Sequence, residues 1–233
     1  MKKENDMKKT YAQLYLSAIK KSICILVVTG VLYAFSVKFI DLPISEWVSQ
    51  ANDGLLTDYS RMISAVFDPT MMMVLIALFF VVSTIGLWMR KWNGAVLNYL
   101  NSCALITIFS DVIVSFFKIA LGRARPDLFM KKHIVGFYPF KNSYEYLSSP
   151  SGHVFIATAC VLVIFGLTQK LWARALAIFF LASVVLARVI LLKHYLGDCM
   201  LSIGLTWACF EYRAIFYNAI LGCMTKNRLH TQV

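Results

Sequence analysis

The sequence predicts an all-α protein: a polytopic membrane bundle of about six transmembrane helices. Three observations predict it. Of the 233 residues 59% are hydrophobic, and the mean hydropathy is +0.68, well above that of an ordinary soluble domain. Six apolar runs of spanning or near-spanning length follow one another, separated by polar connections. The basic residues that give a formal charge of +11 fall mainly on one set of those connections.

The elements come in order. Residues 1–22 carry Lys2, Lys3, Lys8, Lys9, Lys20 and Lys21, with Tyr11, Leu14, Leu16 and Ile19 interleaved. This is the pattern of an amphipathic cytoplasmic segment on a lipid surface. The first apolar run, 23–40, ends at Ser36-Val37-Lys38, a poor cleavage site, so it reads as a retained anchor. Residues 41–70 are acidic, with apolar residues at helical spacing, and predict short amphipathic helices. Further spans are expected at 71–89, 97–117, 152–167, 171–192 and 199–216. The domain boundaries are thus an N-terminal segment 1–22, a six-span unit 23–216 and a cytoplasmic tail 217–233.

An even number of spans puts both termini on one side. The segments on that side carry thirteen of the 23 basic residues and three of the twelve acidic ones. The positive-inside rule makes that side the cytoplasm. The 118–150 connection then faces outward, yet it is basic: Lys118, Arg123, Arg125, Lys131, Lys132 and Lys141. Topology does not ask for those charges, and they suggest an anionic ligand. In a chain this apolar the positive excess reports topology and lipid contact, not nucleic acid. The six cysteines show neither C-x-x-C pairs nor metal-ligand spacing, so they read as small apolar fillers, and no metal or other cofactor is expected.

Three polar groups fall at the same outer end. Lys118 and Arg125 are seven residues apart, about two helical turns, which would place both cations on one helix face about 10 Å apart. Ser149-Pro150-Ser151-Gly152-His153 is a turn opening the fourth helix. Alone it is a turn and cap. The free N–H groups and positive dipole end of a helix also bind phosphate, Gly152 lets an anion approach, and Ser151 adds a hydroxyl. Arg188 stands near the outer end of the fifth helix, where a charge in an apolar run has a functional reason. His194 and Asp198 are spaced i,i+4; if helical, the carboxylate fixes the imidazole tautomer. Asp111 and Glu211 read as inter-helix hydrogen-bonding groups.

Lys118-x6-Arg125-Pro126, Pro150-Ser151-Gly152-His153 and Arg188-x5-His194-x3-Asp198, in this order, resemble the three signature motifs of the type-2 phosphatidic acid phosphatase superfamily. Two positions depart from it: Ala187 stands where the family often has Ser, and Ser149 where an aromatic is common. The resemblance implies a metal-independent phosphohydrolase acting on a membrane lipid phosphate or diphosphate. It implies that His194 attacks phosphorus and becomes a phosphohistidine, that Asp198 orients it, and that His153 protonates the leaving oxygen and then activates water. Lys118, Arg125, Ser151, Gly152 and Arg188 would bind the phosphate oxygens. Bacterial relatives act on undecaprenyl diphosphate, phosphatidylglycerol phosphate and lipid A. Gly122-Arg123-Ala124-Arg125-Pro126-Asp127 is most similar to the lipid A 1-phosphatase branch. In that setting Arg123, Lys131, Lys132 and Lys141 would suit a substrate with several anionic groups.

Two rivals remain open at this point. A phosphotransferase would pass the same phosphate to a lipid acceptor. A small transporter would carry polar residues through the whole bundle, whereas here the basic and His residues cluster at one end.

Overall fold

A computed structural model describes residues 2–51, 54–89 and 94–218, with side chains from residue 12 onward. The main helices are α1 (Lys2–Phe39), α2 (Asp41–Gln50), α3 (Gly54–Val66), α4 (Pro69–Trp88), α5 (Ala95–Leu121), α6 (Pro126–Lys132), α7 (Gly152–Leu167), α8 (Leu171–Ile190) and α9 (Leu196–Phe210), with a short 3-10 turn at Tyr144–Tyr146 and further helical residues at 213–218. All six apolar runs are helical, and the acidic 41–70 segment forms α2 and α3. The first helix passes residues 22–23 without a break. Most of the tail, from residue 219, and the basic residues Arg90 and Lys91 lie outside the described residues.

The helix ends follow from local chemistry. Asp68 caps α4 by accepting the Met71 N–H at 2.9 Å, with Pro69 as the first helical residue. Gly122 ends α5 in the left-handed region, φ 54°, and its N–H bonds the Lys118 carbonyl. A β-carbon there would overlap the Tyr138 carbonyl, so the reversal needs glycine. Arg125 follows in extended conformation and Pro126 opens α6.

Four stretches are long and apolar enough to cross a membrane: Ala12–Phe39, Gly54–Trp88, Ala95–Leu121 and Leu171–Ile190. The other two apolar helices, α7 and α9, have 16 and 15 residues. At 1.5 Å per residue they are about 24 and 22 Å long, less than the ~30 Å hydrocarbon core. They are also the inner pair: residues 154–159 of α7 are all buried, and α7 packs against α5, α8 and α9.

Where lipid gives no hydrophobic drive between helices, small and polar residues join them. The Ser22 hydroxyl donates to the Ala208 carbonyl at 2.9 Å, joining α1 to α9. Gly204 admits Thr29 at the same interface, since a β-carbon would collide with it. Asn101 donates to Ser83 and Thr84 at 2.6 and 2.9 Å, joining α5 to α4. Glu211 pairs with Lys21 of α1 at 3.4 Å, an inter-helix contact as expected. Cys103 and Cys199 are buried, Cys160 and Cys209 partly so, and Cys24 is exposed, all as free thiols; Cys223 lies outside the described residues.

Candidate active site

The N-terminal turn of α7 is the centre of the candidate site. Ser151 is its N-cap residue, fully buried, yet its hydroxyl makes no capping bond. The Ser151 carbonyl is held by the Ser202 hydroxyl at 2.7 Å and its N–H by the Asp198 carbonyl at 3.4 Å, so α9 fixes the turn. Gly152 comes next. A β-carbon there would stand 3.3 Å from Lys118 Nζ, which places that ammonium directly over the start of α7.

Lys118 and Arg125 do not share a helix face. The reversal at Gly122 separates them, and Arg125 reaches the site from the loop that follows. Its guanidinium donates to three backbone carbonyls, of Tyr144, Lys193 and Leu147, at 2.8, 2.9 and 3.1 Å, and stacks on the Tyr144 ring. Two of its five N–H groups remain for another acceptor. Arg188, near the end of α8, donates through Nη1 to Ser64 of α3 at 3.1 Å. Its Nε is buried without a partner, as is the Ser151 hydroxyl; the Ser60 hydroxyl is the third such buried side-chain atom among the described residues. Ser64 is a site contact with no signal in the sequence: its place against Arg188 comes from the packing of α3 on α8.

None of Lys118, Arg125 and Arg188 is paired with a carboxylate among the described residues. Burying unpaired charge is costly; Arg125 and Arg188 are buried and Lys118 is half-buried.

His194 is buried in the turn before α9. The backbone bonds Lys193 N–H and His194 N–H to Arg188 O, at 3.1 and 3.3 Å, fold this turn back on α8. The expected i,i+4 contact with Asp198 is not a direct bond: Nδ1 lies 3.9 Å from Asp198 Oδ2. The reason is that Tyr195 caps the helix, so His194 is not helical. Nδ1 instead lies 2.6 Å from the Ser148 carbonyl oxygen. A carbonyl only accepts, so Nδ1 carries the proton and Nε2 is left as the basic nitrogen. Burial, and then the charges of Arg125, Arg188 and Lys118, hold the imidazole pKa well below its ordinary 6.5.

Asp198 instead accepts from the Ser148 hydroxyl (2.6 Å), the Tyr195 N–H (2.9 Å) and Arg123 Nη1 (2.7 Å). Arg123 is therefore not a spare cation for a multiply charged substrate. It is 5% exposed, and its other arm holds Asp41 at 2.7 Å. Lys131 and Lys132 are exposed at the end of α6, and Lys141 sits over the Tyr146 ring.

His153 and Arg188 line one cavity of about 730 Å³, with Asp68, Arg61, Met130, Tyr144 and Lys193 among its other walls. The cavity lies where α2, α3, α6 and the end of α8 meet. Residues of the three sequence motifs thus meet around the N-termini of α7 and α9, and of them His153 and Arg188 line the cavity.

The PAP2 superfamily model matches residues 95–220, more than half of the chain. The chain is 31% identical over 110 residues to lipid A 1-phosphatase of Rhizobium johnstonii (strain DSM 114642 / LMG 32736 / 3841). That match covers 46% of this chain and 41% of the relative, so the chain spans less than half the length of the curated relative it matches. The fold is similar to the crystal structure of a transmembrane PAP2-type phosphatidylglycerolphosphate phosphatase from Bacillus subtilis, with a TM-score of 0.56 and 19% identity. The likeness covers 86% of this chain and 97% of that one, and at this identity it bears on the fold alone. Apolar helices of membrane-spanning length, the helical architecture and the matched 95–220 segment together make the chain an integral membrane member of the PAP2 superfamily.

Proposed function

We propose that the chain is a membrane lipid phosphatase that removes phosphate from a lipid phosphomonoester or diphosphate at the outer leaflet of a bacterial inner membrane. The observation that carries this reading is the pair of unpartnered buried atoms, Ser151 Oγ and Arg188 Nε, beside three cations without carboxylate partners. A phosphate group would satisfy all of them. Its non-bridging oxygens would take donors from Lys118, Arg125, Arg188, the Ser151 hydroxyl and the Gly152 N–H.

The chemistry follows from the two histidines. His194 Nε2 attacks phosphorus while its Nδ1–H stays hydrogen-bonded to the Ser148 carbonyl. The P–O bond to the lipid breaks as His153 gives the leaving oxygen a proton. Water then loses a proton to His153 and attacks phosphorus, the P–N bond breaks, and inorganic phosphate leaves. The site cations stabilise the transferring group throughout. Asp198 acts on His194 through Ser148 and the Tyr195 backbone.

A site at a membrane edge suits a lipid ester. Lipid A 1-phosphate, undecaprenyl diphosphate and phosphatidylglycerol phosphate are the substrates to try; the similarity to a lipid A 1-phosphatase favours the first. The test is inorganic phosphate release from each purified lipid in detergent, by the intact chain and by His194→Ala. Release that requires His194 supports the reading. No release from any of the lipids, with vanadate failing to bind, removes it.

A further inference from the structure

Asp41 lies at the junction of α1 and α2, N-terminal to the residues the family model matches. It is 1% exposed, and its carboxylate is used on both oxygens. Oδ1 accepts from the Ser36 hydroxyl at 2.7 Å and from the Gly197 N–H at 2.9 Å. Oδ2 accepts from Arg123 Nη2 at 2.7 Å. Arg123 passes the connection on to Asp198, and Asp198 to the Ser148 hydroxyl. The Ser148 carbonyl holds His194 Nδ1. The order Asp41–Arg123–Asp198–Ser148–His194 is thus one unbroken chain of short polar contacts.

A second connection leaves the same carboxylate. Gly197 is in the first turn of α9, three residues after His194, and its N–H is one of the free donors of that helix end. Asp41 takes it up. A β-carbon at 197 would stand 2.8 Å from Asp41 Oδ2, so glycine is what lets the carboxylate sit there. Asp41 therefore touches the turn that carries His194 directly and holds its hydrogen-bond partner indirectly.

The charges also have a consequence. Two carboxylates surround one guanidinium, which leaves one net negative charge buried behind three site cations. The face of Arg123 is closed by the rings of Tyr195, Tyr33 and Phe137, at 4.3, 5.6 and 5.5 Å from its carbon. The guanidinium has little room to find other partners if either carboxylate is neutralised.

We propose that Asp41 is a positioning residue for His194: it fixes, through Arg123 and Gly197, the ring orientation and tautomer that leave Nε2 free. This rests on the reading of His194 as the nucleophile, but the tautomer can be observed whatever the chain acts on.

The experiment uses the full chain in detergent micelles. Asp41→Asn keeps the volume and an acceptor for Gly197, but removes the charge that holds Arg123. Gly197→Ala keeps every charge and displaces the carboxylate, and it serves where Asp41→Asn does not fold. Nitrogen-15 histidine spectra, assigned with His194→Gln, should show the Nδ1–H tautomer in the wild type and a mixture in either variant. Turnover of an aryl phosphate per folded molecule should fall on the order of tenfold to a hundredfold, as expected of a displaced reacting group, with KM changed far less. Asn101→Ala, which loses a buried polar contact at the other end of the bundle, should lower thermal stability and leave both readouts alone. Wild-type tautomer and wild-type turnover in the folded variants overturn the proposal. If the wild type turns over no phosphate ester, the functional reading fails while the tautomer comparison still decides the role of Asp41.

Discussion

His194 Nδ1 stands 2.6 Å from the carbonyl oxygen of Ser148, and the nearest oxygen of Asp198 is 3.9 Å away. A backbone carbonyl cannot take a proton at any working pH, so the tautomer of His194 is set by a group that does not titrate. Asp198 is left to hold Arg123, the Ser148 hydroxyl and the first turn of α9.

This makes Asp198→Asn a stability mutation as much as an activity mutation. The buried guanidinium of Arg123 keeps Asp41 but loses its second ionic partner, and a hydrogen bond between charged groups is worth about 1.5–3 kcal/mol. Denaturation of the detergent-solubilised variant should show a loss in that range. A loss below about 1 kcal/mol, typical of exposed pairs, would mean that the Arg123–Asp198 pair is not buried as described.

The depressed pKa of His194 fixes a pH dependence and its sign. The folded ring resists protonation because it is buried and faces Arg125, Arg188 and Lys118. Below pH 6.5 the unfolded chain binds a proton that the folded chain does not, so stability falls with falling pH by up to about 1.4 kcal/mol per unit. His194→Gln should remove that contribution. Unfolding followed at pH 7.5 and 5.5 checks it, and equal slopes in wild type and variant would contradict the burial argument.

Much of this was legible in the sequence, for physical reasons that differ by residue. Apolar runs announce helices by composition alone. Lys118, Arg188 and His194 stand out because polar groups in apolar runs are rare. Arg123 misleads because a basic loop residue looks the same whether it faces a ligand or two buried carboxylates. Asp41 and Ser64 reach the site only through packing of α2 and α3, which no local pattern encodes. The separation of Lys118 from Arg125 did have a local signal. Gly122 followed by Pro126 is the spacing of a helix stop and a new helix start, and it outweighs a count of helical turns.

Chelation should leave the proposed reaction intact. Lys118, Arg125 and Arg188 already supply the positive charge that a phosphate transition state needs. Phosphate release should persist in excess EDTA, and vanadate should inhibit by occupying the same donors. Activity lost to EDTA and restored by magnesium would remove this mechanism.

Orientation is tested by labelling. Asn142 is exposed in the loop between α6 and α7, at the end proposed to face outward. A cysteine placed there, in a background without native cysteines, should react with an impermeant thiol reagent in intact spheroplasts. One placed at Asn227, in the tail outside the described residues, should react only after lysis. The reverse pattern would put the site in the cytoplasm and the substrate in the inner leaflet.

The two histidines should fail in different ways. His194 presents Nε2 as a base with its other nitrogen tied to a carbonyl, so His194→Ala should abolish phosphoenzyme formation and turnover together. His153 follows the Ser151-Gly152 turn, and in the proposed mechanism it gives the leaving oxygen its proton. His153→Ala should therefore lose most turnover on a lipid monophosphate, whose alkoxide leaves poorly without that proton. An activated aryl phosphate needs no such help, so this variant should still phosphorylate His194. It should then hold the phosphate, because the base that activates water is gone. Rapid-quench labelling with a radioactive aryl phosphate separates the cases. Label that accumulates on His194→Ala and not on His153→Ala would show that the roles are the other way round.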